Sequence, residues 1–180
     1  MESRREVLAS LVTLSLAGCV TDPTGSASED GGSEGSSNIP KDPLDLVIQP
    51  EQLSDDWKEE LRKKDGNEGI VSYINDQEGA FLDSTVAVFE TVEEARESYR
   101  SRVDEADEQY ETESADVGEE ATHYMIEDCG CYKVDDSFWV LFLERNAVGK
   151  VGTGIDQSQL DTVPEEKVLD FAELNLKNFP

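Results

Sequence analysis

The stretch "FWVLFLE" (138–144), followed by "VGKVGT" (148–153), decides the fold. Arg145-Asn146 between the two runs is a turn-prone pair, so they predict neighbouring antiparallel strands. From Phe138 to Leu143 every side chain is apolar, without the alternation of a strand that has one wet face. Such a run predicts a strand covered on both faces, or one under helices with its other face at least partly shielded.

Further strand candidates flank it. "ATHYMIE" (121–127) and "CYKV" (131–134) precede it, and Asp135-Asp136-Ser137 supplies a turn. Earlier still, "IVSYI" (70–74) and "AFLDSTVAVFE" (80–90) are joined by the turn-prone "NDQEG" and predict a hairpin. "DLVIQ" (45–49) reads as a first strand.

Three segments carry helical periodicity. In 50–66, Leu53, Trp57 and Leu61 recur every four residues and Gly66 stands at the end. The clearest helix begins after Thr91, where Thr91 and Glu94 make a capping box, each satisfying the other's free N–H. Val92, Ala95, Tyr99, Val103, Ala106 and Tyr110 form its apolar stripe, opposite a solvated face of Glu93, Glu97, Arg100, Asp104, Glu108 and Glu111. The last helix spans about 163–178, with a Thr162/Glu165 capping box, Pro164 in the first turn, and Val168, Phe171, Ala172 and Phe179 inward. Short strands in sequence prefer antiparallel neighbours. The expected fold is α+β over residues 41–180, a single antiparallel sheet of about five to seven strands with two or three helices packed on one face.

The 180 residues include 42 acidic and 15 basic side chains, a formal charge of −27. That charge disfavours nucleic acid and anionic membrane surfaces as direct partners. The acids are spread evenly and interleaved with periodic apolar segments, so they read as a folded halophilic surface rather than a disordered tail.

The N-terminus supplies an address. Arg4 and Arg5 precede an 11-residue apolar run, "VLASLVTLSLA" (7–17), which has the length of a signal-peptide core and falls short of a membrane span. Leu16-Ala17-Gly18-Cys19 follows. Residues 20–40, "VTDPTGSASEDGGSEGSSNIP", are Gly/Ser/acid-rich and read as a flexible tether. "SRREVL…LAGC" on so acidic a chain resembles the lipoproteins of halophilic archaea that carry a twin-arginine signal peptide and a lipobox. Val7 stands where that pattern most often has Phe, while Leu8 fits. The resemblance covers residues 3–19. It implies cleavage of 1–18, a lipid on Cys19, the tether from 19 to 40, and attachment to the cell membrane facing outward. Two acyl chains would hold the protein stably where one would not.

Chemistry is sparse. His123 is the only histidine, and the chain has no G-x-S-x-G elbow, P-loop or G-x-G-x-x-G opening a helix. "VGKVGTG" (148–154) is glycine-rich but lies in a strand pattern, which argues against phosphate cradling. One constellation stands out, "HYMIEDCGC" (123–131). With Cys19 lipidated, Cys129 and Cys131 are the remaining thiols. They read as a strained disulfide across Gly130, as inert small residues, or as soft-metal ligands. In the metal reading His123 and Met125, co-facing on a strand, would join Cys129 and Cys131 around copper or zinc. The expectation is a non-catalytic binding or assembly module with no cofactor and a protein or small-molecule partner of unknown identity. A redox or soft-metal protein is the alternative.

Overall fold

A computed structural model describes residues 38–127, 134, 136–155 and 164–180. The chain divides into two units, Met1–Gly35 and Ser36–Pro180, and the described residues all belong to the second. Their elements run α1 (Pro43–Leu46), a 3-10 turn (Pro50–Gln52), β1 (Lys58–Asp65), β2 (Glu68–Asn75), β3 (Ala80–Val88), α2 (Val92–Asp107), β4 (Thr112–Ala115), β5 (Glu120–Ile126), β6 (Ser137–Glu144), β7 (Ala147–Ile155) and α3 (Pro164–Leu176). The strands form one open sheet of seven, ordered β1-β2-β3-β7-β6-β5-β4, with every pairing antiparallel. The fold is mixed α+β.

Both hairpins expected from sequence are present. β2 pairs with β3 from Glu68↔Ala87 to Asn75↔Ala80, and β6 pairs with β7 from Phe138↔Thr153 to Glu144↔Ala147. Arg145 takes a left-handed φ of 52° in the second turn. Asn146 then locks that turn: its Oδ1 accepts from Ile39 N–H (2.6 Å) and its Nδ2 donates to Phe89 O (2.7 Å).

β6 explains its own apolar run. Val140 and Phe142 pack with Val168 and Ala172 of α3, together with Leu46, Val47 and Ile48 at the α1 end. The intervening Leu141 and Leu143 pack with Ala95, Tyr99 and Ala106 of α2. Since alternate strand residues face opposite ways, α2 lies on one face of the sheet, and α1 and α3 on the other. The expectation of helices on a single face is therefore corrected. α2 starts at the expected capping box, with Thr91 Oγ1 accepting from Glu94 N–H and the Glu94 carboxylate accepting from Thr91 N–H. Its expected charged face is exposed.

Two local expectations also fail. Residues 50–66 are not one helix: the 3-10 turn leads through Trp57 into β1, which pairs with β2. β1, "KEELRKKD", is an edge strand exposed along nearly its whole length, so no period of two marks it. Charge there and shortness in β4 blunt both sheet edges against pairing with another chain. Residues 45–49 are not a strand either. Leu46, Val47 and Ile48 are fully buried without strand pairing, and side chains satisfy their backbone. Ile48 N–H donates to Ser84 Oγ (3.2 Å), Tyr73 O–H donates to Ile48 O (2.9 Å), Asn178 Nδ2 donates to Val47 O (2.8 Å), and Asn175 Nδ2 donates to Leu46 O. Residues 131–133 and Thr162, where a strand and a capping residue were expected, lie outside the described residues.

Candidate functional site

On the face that carries α2, the helix covers β5, β6 and β7 and leaves the β1–β2–β3 side open. Register builds this open region row by row. One row runs Ser72, Asp83, Gly152, Trp139, Tyr124 across β2, β3, β7, β6 and β5, and the next holds Ile74, Phe81 and Gly154. The glycines of β7 are the key to it. An added Cβ at 152 would collide with the Trp139 indole, and one at 154 with the rings and methyls of Phe81 and Val134. Without side chains, β7 lets the two aromatic rings lie down over it. Phe81 and Trp139 stand 6.3 Å apart at 44°, and Trp139 Nε1–H donates to Ser137 Oγ (2.9 Å).

These rings floor a groove of about 340 Å³, with Ser72, Ile74, Asp83 and Glu60 among its lining residues. Glu60 reaches it through a β-bulge: the β1–β2 register steps from Glu59↔Tyr73 to Leu61↔Ser72, leaving Glu60 unpaired in the ladder. Bulges re-aim a side chain in this way. Leu61, opposite Ser72 on β1, is 42 % exposed.

Asp83 on the groove's floor and Lys150 in the neighbouring cleft lie close enough to feel each other's charge. Burial pushes the Asp83 carboxyl up, against the opposing pull of a Ser72 hydrogen bond and the Lys150 charge. Burial, aided by the nearby Arg102 charge, pushes the Lys150 ammonium down. Lys150 Nζ lies 4.2 Å from the Trp139 ring centroid, a cation–π contact. Beyond Lys150, α2 and the sheet enclose a second cleft of about 470 Å³ lined by Arg102, Glu105, Tyr110 and Tyr124. There Arg102 pairs with Glu68 at 2.9 Å, and Tyr110 stacks on Tyr124 at 5.3 Å. Burial pushes the Tyr124 phenol up to about 12, helped by Tyr110 and Glu105.

Of the residues singled out from sequence, His123 and Met125 are neighbours on one face of β5, opposite Val140 and Phe138 of β6. They line a cleft of about 560 Å³ with Glu113, whose carboxylate lies 3.7 Å from His123 Nε2. Among the described residues no three His, Cys, Asp or Glu side chains converge as a metal site. Arg4, Arg5, Leu16, Ala17, Gly18, Cys19, Cys129 and Cys131 lie outside the described residues. No described helix is long and apolar enough to cross a membrane.

Sequence reading did not single out Trp139, Asp83 or Lys150. For Trp139 a signal was present in "VGKVGTG": glycines in a strand pattern beside a strand rich in aromatics mark places where rings lie over backbone. No protein-family model matches the chain, and comparison with curated proteins finds no match.

Proposed function

We propose that the chain is a lipid-anchored lipoprotein of the cell surface, exported with its 1–18 segment removed, that acts as a non-catalytic binding module. The observation that carries this reading is the sequence "LAGC" (16–19), set between an 11-residue apolar run and a Gly/Ser/acid-rich tract. A chain of that design presents its domain outward on a tether of about 21 residues, with a reach of roughly 25 Å if the tether behaves as a flexible coil at 5–6 Å per root residue. The aromatic groove over β7 gives such a module a place to receive a solute or a segment of a partner. Halophilic acidity suits it to concentrated salt outside the cell. The test is membrane fractionation of Cys19→Ser: released or unprocessed protein supports the reading, and unchanged membrane attachment refutes the anchor.

A second reading draws on the co-facing of His123 and Met125 in the cleft beside Glu113. Imidazole and thioether are ligands for Cu(I), and the thiols of Cys129 and Cys131 would complete a soft-metal set. Metal analysis with a free-thiol count separates the two. Stoichiometric copper or zinc that is lost in Cys129→Ser would favour the second reading over the first.

A further inference from the structure

We infer that the groove over β7 binds a small organic cation with an apolar body, and that Lys150 is an internal competitor for the same site. The inference rests on the reading of the domain as a binding module, and not on how the chain is anchored.

Three observations carry it. First, the groove's walls are apolar and aromatic, through Ile74, Phe81 and Trp139, while both of its charged lining residues, Glu60 and Asp83, are carboxylates. Second, the two carboxylates reach the groove from different strands. Glu60 is turned in by the β1 bulge, and Asp83 stands in regular register on β3 between Ser72 and the bare backbone of Gly152. A desolvated carboxylate beside π-faces is the arrangement that recognises alkylammonium groups, because ring quadrupole and charge both attract the cation while the walls cover its carbon body. Third, the protein already places such a group on the indole that borders the groove: Lys150, which lines the adjoining cleft, is a butylammonium whose Nζ rests 4.2 Å from the Trp139 centroid. Among the described residues no hydrogen bond or ion pair shorter than 4.0 Å holds that ammonium. The Lys150 side chain also lines the adjoining cleft, where the Glu105 carboxylate can receive the ammonium when another cation takes the indole and Asp83. An arriving cation must do work against this occupant, so intrinsic affinity is masked by the occupied fraction.

The test titrates the full-length chain with benzyltrimethylammonium, benzyl alcohol and phenylacetate, following the Trp139 indole N–H by NMR and heat by calorimetry. The expected result is saturable binding of the ammonium, with the neutral and anionic compounds at least tenfold weaker. Asp83→Asn is expected to weaken it about tenfold. Glu60→Gln, on an exposed edge strand, gives a second arm that burial cannot confound and is expected to lose severalfold. Lys150→Met is expected to tighten binding severalfold, an outcome that mere support of Trp139 by Lys150 would not produce. Glu108→Gln, on the exposed face of α2, controls for diffuse attraction to the −27 surface and is expected to change nothing. Equal binding of the ammonium and the alcohol would overturn the inference, as would equal losses in Glu108→Gln and Asp83→Asn, or weaker binding in Lys150→Met. Binding of only the alcohol or phenylacetate sinks the inference and leaves the binding module standing. No response of Trp139 to any of the three counts against both.

Discussion

Phe142 and Gly149 share one volume: the phenyl ring fills the space that a side chain at 149 would need. Phe142 is fully buried and edge-packed against Phe179 at 6.0 Å, so it has nowhere to go. Gly152 stands in the same relation to Trp139, but that indole is only half-buried and can lift. The same substitution should thus cost differently three residues apart. Overpacking costs about 1–3 kcal/mol, and Gly149→Ala is expected at the upper end of that range and Gly152→Ala at the lower. The check is the thermal midpoint, at roughly 2–4 °C per kcal/mol. Equal shifts would mean that the Trp139 ring is as confined as Phe142.

Asn175 joins the C-terminal helix to the chain's early turn. Its Oδ1 accepts from Ser84 Oγ at 2.6 Å while its Nδ2 donates to Leu46 O, and all three residues are fully buried. Asn175→Ala leaves a buried carbonyl and a buried hydroxyl without their partner, which costs about 1–3 kcal/mol per orphaned group. Asn178→Ala, in a half-buried position with water close by, should cost less. Denaturant midpoints at constant slope would show the difference.

Alkali should unfold the domain through two tyrosines. Burial pushes Tyr73 and Tyr124 up to about 12 from an ordinary value near 10. A raised pKa means that the folded state holds its proton after the unfolded chain has lost it. The contribution to stability is thus complete below pH 10 and is lost as pH rises from about 10 through 12. Tyr124→Phe and Tyr73→Phe should each flatten the decline of melting temperature in that window, and Tyr73→Phe should also lower the whole curve because its hydroxyl bonds Ile48 O. Phenolate absorbance rising fully by pH 10.5 in the folded protein would contradict the burial.

Salt should stabilise. The formal charge is −27, and ion pairs such as Lys58–Asp76, with side chains 64 % and 54 % exposed, stand in solvent. Exposed pairs contribute about 0–1 kcal/mol, so losing them to screening matters less than relieving self-repulsion. The Debye length falls from about 10 Å to 3 Å between 0.1 and 1 M. Melting temperature is expected to rise over that range in NaCl, and a fall would count against the halophilic reading.

What could be read in advance followed physical locality. The Thr91/Glu94 box and the β2–β3 and β6–β7 hairpins are specified by residues within a few positions of one another, and they stood in the sequence. β1 was misread because Leu53, Trp57 and Leu61 mimic a helical stripe, while an edge strand wet on both faces has no alternation to offer. β4, four residues long, left no pattern at all. The buried run Leu46–Ile48 looked like a strand because buried backbone usually pairs with backbone. Its true partners, Tyr73, Ser84, Asn175 and Asn178, lie 25 to 131 residues away. The non-alternating Phe138–Leu143 run did carry the two-faced packing, and expecting all helices on one face underused it. Asp83 and Lys150 are ordinary charged residues in sequence, and only the register that sets them beside Trp139 gives them a role.

Lipidation at Cys19 is tested most directly by intact mass spectrometry of the protein extracted from its native membrane. The predicted result is a mature chain that begins at Cys19 and carries the added mass of a two-chain lipid. A chain that begins at Met1 with an unmodified cysteine would contradict it.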